Sequence, residues 1–211
     1  MAESFSPKAL EMAFKAAEED PDLVEAHELL ANLALEDSDP QRATAQADKA
    51  LALSPDAFDA VAVKAAIEAL ADRSPDALLE QVWKVNPRYG EAHAIIAHHL
   101  VLNRRYIDGI AHYRKAIERD PKNWAARSEL GVNLMRVGED AEARQQLELC
   151  FNNKYDSSPT VNSLRLLDSY ANFETYETPK TILKLHKKEA EQLRLYFQPE
   201  MEKAVAAFEK K

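Results

Sequence analysis

Glycine and cysteine are both scarce in this chain. The four glycines among 211 residues, Gly90, Gly109, Gly131 and Gly138, cannot form a phosphate-binding loop or a dinucleotide fingerprint, because both need several glycines at short spacing. A G-x-S-x-G nucleophile elbow is also missing. Cys150 is the only cysteine, which excludes intrachain disulfides and cysteine-based zinc sites. We therefore expect a protein that is not an enzyme and needs no cofactor.

The chain also lacks a long hydrophobic run. No stretch approaches the roughly 18 apolar residues that a membrane-spanning helix needs, and the opening residues MAESFSPKALEMAF lack the basic and apolar regions of a signal peptide. The net charge of −9 and the pI near 5.2 argue against nucleic acid and anionic membranes as partners. We expect a soluble protein and leave its compartment open, because a piece of a longer secreted protein would look the same.

Four prolines recur at nearly constant spacing. The first and last intervals between Pro21, Pro55, Pro87 and Pro121 are equal, the middle one is two residues shorter, and each proline directly follows an Asp, Ser or Asn. Proline suits the first position of a helix, and Asp, Ser and Asn suit the position before it, so the pattern predicts that a helix begins at each proline. Helix starts repeated about every 34 residues are typical of an array of helical hairpins.

Small residues recur at fixed distances from these prolines, where they would let paired helices approach closely. Cys150 continues one of these series, which predicts a buried and inert thiol. The second pair of helices departs from the pattern, because Lys64 takes a position that is usually apolar and the connection is two residues short. We expect that hairpin to be tilted. The small residues are Ala9, Ala16, Ala31, Ala43, Ala50, Ala65, Ala97, Gly109, Ala116, Gly131 and Ala143.

These positions resemble the tetratricopeptide repeat (TPR) family. The resemblance is carried by Leu130, Gly131, Gly138, Ala143 and Leu147 in one unit, and by Tyr106, Gly109, Tyr113, Ala116 and Pro121 in the unit before it. It implies an all-α fold, a right-handed superhelix of half a repeat and four helical pairs over residues 1–153. The expected helices are 6–19, 22–36, 40–53, 57–71, 75–85, 88–102, 106–119, 122–137 and 139–153.

The resemblance also implies that the first helix of each pair lines a concave groove for a partner protein or peptide. Family members that capture acidic C-termini carry a clamp of lysine, asparagine and arginine there, and only Asn32 matches that clamp. We therefore expect the groove to bind a basic or mixed peptide, because the groove would have an acidic end and a floor of small apolar residues. Solvated helix faces without a ligand are the alternative. The groove positions hold Glu25, Glu28, Asn32, Asp59, Ala62, Ala66, Glu91, Ala94, His98, Ala125, Ser128 and Val132.

The histidines offer a weaker alternative function. His93, His98 and His99 lie on one predicted helix at spacings of five and six, whereas two zinc ligands on a helix need a spacing of four. A site that joins His98 or His99 to His112 on the next helix is left open, as is catalysis by such a cluster with carboxylates. We expect no metal site and interpret these histidines as packing or surface residues.

The period ends after Cys150, and residues 154–211 are interpreted as an appendage. They predict a helix from about Pro159 to Tyr170, a short β-hairpin with its turn at Thr178–Pro179, and a last helix that Pro199 can kink. The appendage either caps the superhelix or begins a further domain. The last helix carries a predicted apolar stripe of Ala190, Leu193, Phe197, Met201, Ala204 and Phe208.

The last fifty residues also resemble the opening segment of peptidase MA-like (gluzincin) domains, which follow TPR repeats in some bacterial proteins. No catalytic residue of that family lies in this stretch, so none is transferred. The expected function is a non-catalytic protein–protein interaction scaffold, the repeat region of a larger bacterial protein. The alternatives are a freestanding assembly factor that forms a homodimer through its C-terminal helix, and a non-catalytic fragment of a TPR-linked zinc metallopeptidase.

Overall fold

The computed structural model describes residues 7–210, apart from the side chains of Pro7 and Ala9. The predicted helix start at residue 6 and the packing of Ala9 lie outside this description. No helix among the described residues is both long and apolar enough to cross a membrane. The helices are α1 (Pro7–Glu19), α2 (Val24–Glu36), α3 (Pro40–Leu53), α4 (Phe58–Leu70), α5 (Asp76–Val85), α6 (Glu91–Leu102), α7 (Tyr106–Arg119), α8 (Trp124–Arg136), α9 (Asp140–Asn152), α10 (Ser158–Ser169) and α11 (Ala190–Phe208), and the strands are β1 (Phe173–Glu177) and β2 (Ile182–His186).

The four periodic prolines lie in tight turns between helices. The residue two places after each proline donates its backbone N–H to the carbonyl oxygen of the residue before the proline, with N–O distances of 3.1 Å from Leu23 to Asp20 and 3.0 Å from Asn123 to Asp120. Proline is favoured as the second residue of such a turn. The prediction that helices begin at these prolines is therefore wrong, and α2, α4, α6 and α8 begin three or four residues later.

Small residues hold the helical hairpins together, as the sequence predicts. In the α6–α7 hairpin, a Cβ atom on Gly109 would lie 2.6 Å from Cγ2 of Val101, and in the α8–α9 hairpin one on Gly131 would lie 2.6 Å from Cγ of Leu147. Only glycine permits backbones to approach this closely. Cys150 is fully buried, and burial raises the pKa of its thiol to about 11, which confirms the predicted buried position.

The second hairpin, α4 with α5, is looser than the others. α5 spans only 10 residues and packs lightly on α4, whereas α4 packs directly on α6. Pro75 stands just before α5 at the position where other hairpins carry Ala43 or Gly109, so the close helix contact is lost. Lys64 is half-buried and pairs with Asp48 at 2.6 Å. The predicted irregularity of this hairpin is therefore present.

The repeat period continues through α10, so the prediction that it ends after Cys150 is wrong. α10 begins at Ser158, one full repeat length after α8 begins at Trp124, and packs on α8 and α9. Gly131 of α8 faces α9, but the matching position of α10 holds the exposed Arg165. α10 therefore lacks, at this position, the small residue that admits a partner helix in the earlier hairpins. The division of the chain at residue 153 stays a prediction, and this packing favours a later boundary.

The two strands form the predicted hairpin. β1 and β2 pair antiparallel, with Phe173 opposite His186, and the N–H of Thr178 donates to the carbonyl oxygen of Thr181 at 2.9 Å across the turn. Lys184 forms an ion pair with Asp140 at the start of α9. The hairpin is thus attached to the end of the helical array.

α11 packs on β2 and leaves part of its apolar surface exposed. The guanidinium of Arg194 lies 4.5 Å from the ring centre of Tyr176, so this side of the helix faces the hairpin. Leu193, Met201 and Val205 are half-buried. Three members of the predicted stripe, Phe197, Ala204 and Phe208, are exposed, because the covered side of the helix is rotated away from them.

Candidate functional site

The first half of the predicted groove is closed by contacts between α2 and α6. His99 Nε2 lies 2.8 Å from Asn32 Oδ1, and His98 Nε2 lies 2.8 Å from Glu36 Oε1, so the first and third repeats bond directly. On the intervening helix α4, Ala62 and Ala66 have no exposed surface. Their burial contradicts the prediction that they line a groove, because a ligand cannot reach them.

Three predicted acidic groove residues bind the neighbouring repeat. Glu28 Oε1 accepts the backbone N–H of Asp59 at 3.0 Å at the start of α4, which caps that helix. Asp59 accepts a hydrogen bond from the Tyr89 hydroxyl, and Glu91 accepts one from Asn123 Nδ2 at 2.7 Å. Burial raises the pKa of Glu28 and of Glu91. These acids join repeats to one another and leave little of the predicted acidic entrance for a ligand.

Four more predicted groove residues lie outside any shared cavity. Glu25 and Ala125 are exposed on α2 and α8. Ala94 is buried in the core, and Ser128 is buried with its hydroxyl oxygen 2.7 Å from that of Thr160 on α10. The hydroxyl pair fastens α10 to α8.

The open part of the concave face is a cleft between α6, α8 and α10, about 540 Å³ in volume. Two predicted groove residues, His98 and Val132, line it. Each of the three helices contributes both apolar and polar side chains to it. The cleft is lined by His98, Val101, Leu102, Glu129, Val132, Arg136, Ser158, Pro159, Asn162, Ser163 and Leu166.

Glu129 is the acidic group of this cleft. Its side chain is half-buried and has neither a hydrogen bond nor an ion pair with any residue in the described range 7–210. Burial raises the pKa of Glu129, because the carboxylate loses water without gaining a partner; the nearby His98 and Arg136 offset part of this rise. The guanidinium of Arg136 lies over the ring of Tyr106, 5.4 Å from its centre.

Sequence reasoning missed most of this cleft for two reasons. The groove positions were counted four, seven and eleven residues after each proline, whereas Glu129 and Arg136 lie eight and fifteen residues after Pro121. The whole α10 wall was missed because Tyr155 replaces the expected fifth proline. The helix itself was predicted, but counting one repeat length onward from Trp124, which leads to Ser158, would have identified it as the next helix of the array.

His93 and His112 form a pair, in which His93 is buried and His112 is half-buried. His93 Nδ1 lies 3.1 Å from His112 Nδ1. Burial lowers the pKa of His93 to about 3 and that of His112 to about 4, so both rings are neutral at physiological pH. The site joining His98 or His99 to His112 is not formed, because His112 contacts His93. No group of three His, Cys, Asp or Glu side chains within residues 7–210 could hold a metal ion.

Comparisons with known proteins give structural likeness only. No family model matches the sequence, and no curated protein matches it significantly. Among solved structures, YrrB, described as a TPR protein with an unusual peptide-binding site, is 20% identical over 77% of this chain and 84% of its own, with a TM-score of 0.41. MamA from Desulfovibrio magneticus RS-1 is 22% identical over 71% of this chain and 87% of its own, with a TM-score of 0.40. The TPR domain of P58(IPK) is 13% identical over 77% of this chain and 60% of its own, with a TM-score of 0.39. The packing of this chain's own helices is what establishes its hairpin fold.

Proposed function

We propose that this protein is a non-catalytic interaction scaffold that holds a segment of a partner protein in the cleft between α6, α8 and α10. The observation that supports this proposal is the contrast between the two halves of the concave face. In the first half, bonds from α2 to α6 fill the face. In the second half, the cleft of about 540 Å³ combines apolar walls with a few polar groups, as binding sites for peptides and small ligands do.

The chemistry of the cleft favours binding over catalysis. Its histidine, His98, is bonded to Glu36, and neither cleft serine, Ser158 or Ser163, has a hydrogen bond to a histidine among the described residues. A serine nucleophile needs such a base within hydrogen-bond reach. Cys150, the one thiol, is buried away from solvent.

We expect peptides that bind this protein to lose at least tenfold in affinity when either wall of the cleft is blocked. Peptides are selected from a random heptapeptide library on the purified chain, and their affinity is measured by fluorescence anisotropy. The variants are Val132→Arg on α8 and Leu166→Arg on α10. Both side chains are partly exposed, so the fold is expected to tolerate the change, which circular dichroism checks.

Leu149→Arg is the matched control, because Leu149 is a similarly exposed leucine on α9 outside the cleft. It is expected to leave peptide affinity unchanged. Selected peptides that bind Val132→Arg and Leu166→Arg as tightly as the natural chain would contradict the proposed site.

Self-association through α11 is the second candidate function, supported by the exposure of consecutive apolar side chains. Leu195, Tyr196 and Phe197 are 75%, 74% and 50% exposed, and exposed apolar patches often mark interaction sites. We expect light scattering to give the mass of a dimer at high concentration, and the Leu195→Glu/Tyr196→Glu variant to give that of a monomer. A monomeric natural chain would exclude this function. The resemblance to gluzincin domains, and with it a place in a larger bacterial metallopeptidase, stays a prediction.

A further inference from the structure

We propose that the cleft selects its partner through one lysine or arginine side chain, whose cation binds the carboxylate of Glu129. This inference rests on the proposed function, since it assigns the partner's chemistry at the same cleft. It also moves the expected basic recognition from the acidic residues of the first repeats to a single carboxylate near the end of the array.

The first step of the argument is that Glu129 lacks a partner although other half-buried acids of the concave face have one. Glu28 caps α4, and Glu91 accepts a hydrogen bond from Asn123. Glu129 has no such bond within residues 7–210. A partly dehydrated carboxylate without a donor is costly, and an incoming cation removes that cost.

The second step is that the basic side chains close to Glu129, His98 and Arg136, do not satisfy it. His98 Nε2 lies 2.8 Å from Glu36 Oε1, within hydrogen-bond distance, and the guanidinium of Arg136 lies over the ring of Tyr106. Neither forms an ion pair with Glu129. The carboxylate is therefore available to a donor that enters from solvent.

The third step is that the walls of the cleft fit the rest of a basic side chain. Val101, Val132 and Leu166 offer apolar surface, and the methylene stems of lysine and arginine pack on such surface while the charged end reaches a polar partner. On α10, Ser158 and Asn162 can bond the peptide backbone of the same segment. The net charge of −9 adds a general attraction for basic segments.

The test uses the peptides selected on the natural chain. We expect each of them to carry lysine or arginine at a shared position, and replacement of that residue by norleucine, which keeps the stem but removes the cation, to weaken binding about tenfold or more. Glu129→Gln should weaken the basic peptide by a similar factor. The same variant should bind the norleucine peptide as tightly as the natural chain does, because the two changes remove one interaction.

Glu80→Gln is the charge-matched control, since Glu80 is exposed on α5, away from the cleft. Glu80→Gln should leave the affinities of the basic peptide and of the norleucine peptide unchanged. This result separates a specific bond from general attraction to an acidic protein. Peptides that lose affinity in Val132→Arg but tolerate norleucine overturn this inference and leave the proposed function standing. Selected peptides with a shared Asp or Glu, bound through Arg136, overturn it as well. A library that yields no binder counts against both proposals.

Discussion

Lowering the pH from about 8 to about 5 is expected to reduce the free energy of unfolding of this protein by roughly 4–6 kcal/mol. The loss comes from the buried His93 and His99 and the half-buried His112. Burial lowers the pKa of His99 to about 3 and holds the pKa of His93 and His112 well below the usual 6.5. Because domains are typically stable by only about 5–15 kcal/mol, the change should bring the array close to unfolding.

The sign follows from where each imidazole takes up a proton. In the unfolded chain a histidine is protonated below about pH 6.5, whereas these three stay neutral in the folded chain until the pH is far lower. Their contribution is therefore fully present above pH 6.5. Below that pH each one costs about 1.4 kcal/mol per pH unit, down to its folded pKa. The raised pKa values of Glu28, Glu91 and Glu129 act with the opposite sign and offset part of this loss.

A single substitution isolates one of these imidazoles. His99→Gln keeps a side-chain N–H at the place from which His99 Nε2 bonds Asn32 Oδ1 at 2.8 Å, but it cannot be protonated. Urea unfolding at a series of pH values should show that this variant loses about 1.4 kcal/mol less per pH unit below pH 6.5 than the natural chain. Equal slopes for the two proteins would mean that His99 already carries its proton in the folded state.

The helical hairpins could be predicted from the sequence because their cause is local and periodic. Gly109 and Gly131 lie in neighbouring hairpins, and in each case the missing side chain is what admits the partner helix. The β-hairpin was also predictable, because strand-forming residues flank the turn at Thr178–Pro179. The predicted starts of α2, α4, α6 and α8 lay too close to the prolines, because proline suits both a helix start and the second position of a turn.

The site could be predicted less well, because it depends on contacts between distant repeats. Asn32 and His99 come from the first and third repeats, and nothing in their local sequence shows that they bond. The same holds for Glu28, whose carboxylate caps a helix in the next repeat. Position within a repeat placed only His98 and Val132 in the cleft, because it does not predict where the concave side is filled and where it is open.

The last prediction compares the two halves of the concave face at one repeat position that occurs in both. Ala66 and Val132 each lie eleven residues after a periodic proline, yet Ala66 has no exposed surface and Val132 lines the cleft. Ala66→Leu should lower the free energy of unfolding by about 3 kcal/mol, since the added atoms have no space between α2, α4 and α6. Val132→Leu should change it by less than about 0.5 kcal/mol, because the larger side chain extends into the cleft.

Urea unfolding of both variants at neutral pH measures the difference. Equally small decreases in the free energy of unfolding for the two variants would mean that the first half of the face is as open as the second. The bonds of His98 and His99 to α2 would then not close it. A large cost at Ala66 alone would show that the position of a residue within the repeat is not enough to make it part of a groove. The neighbouring repeats must also stand apart, as they do between α6, α8 and α10.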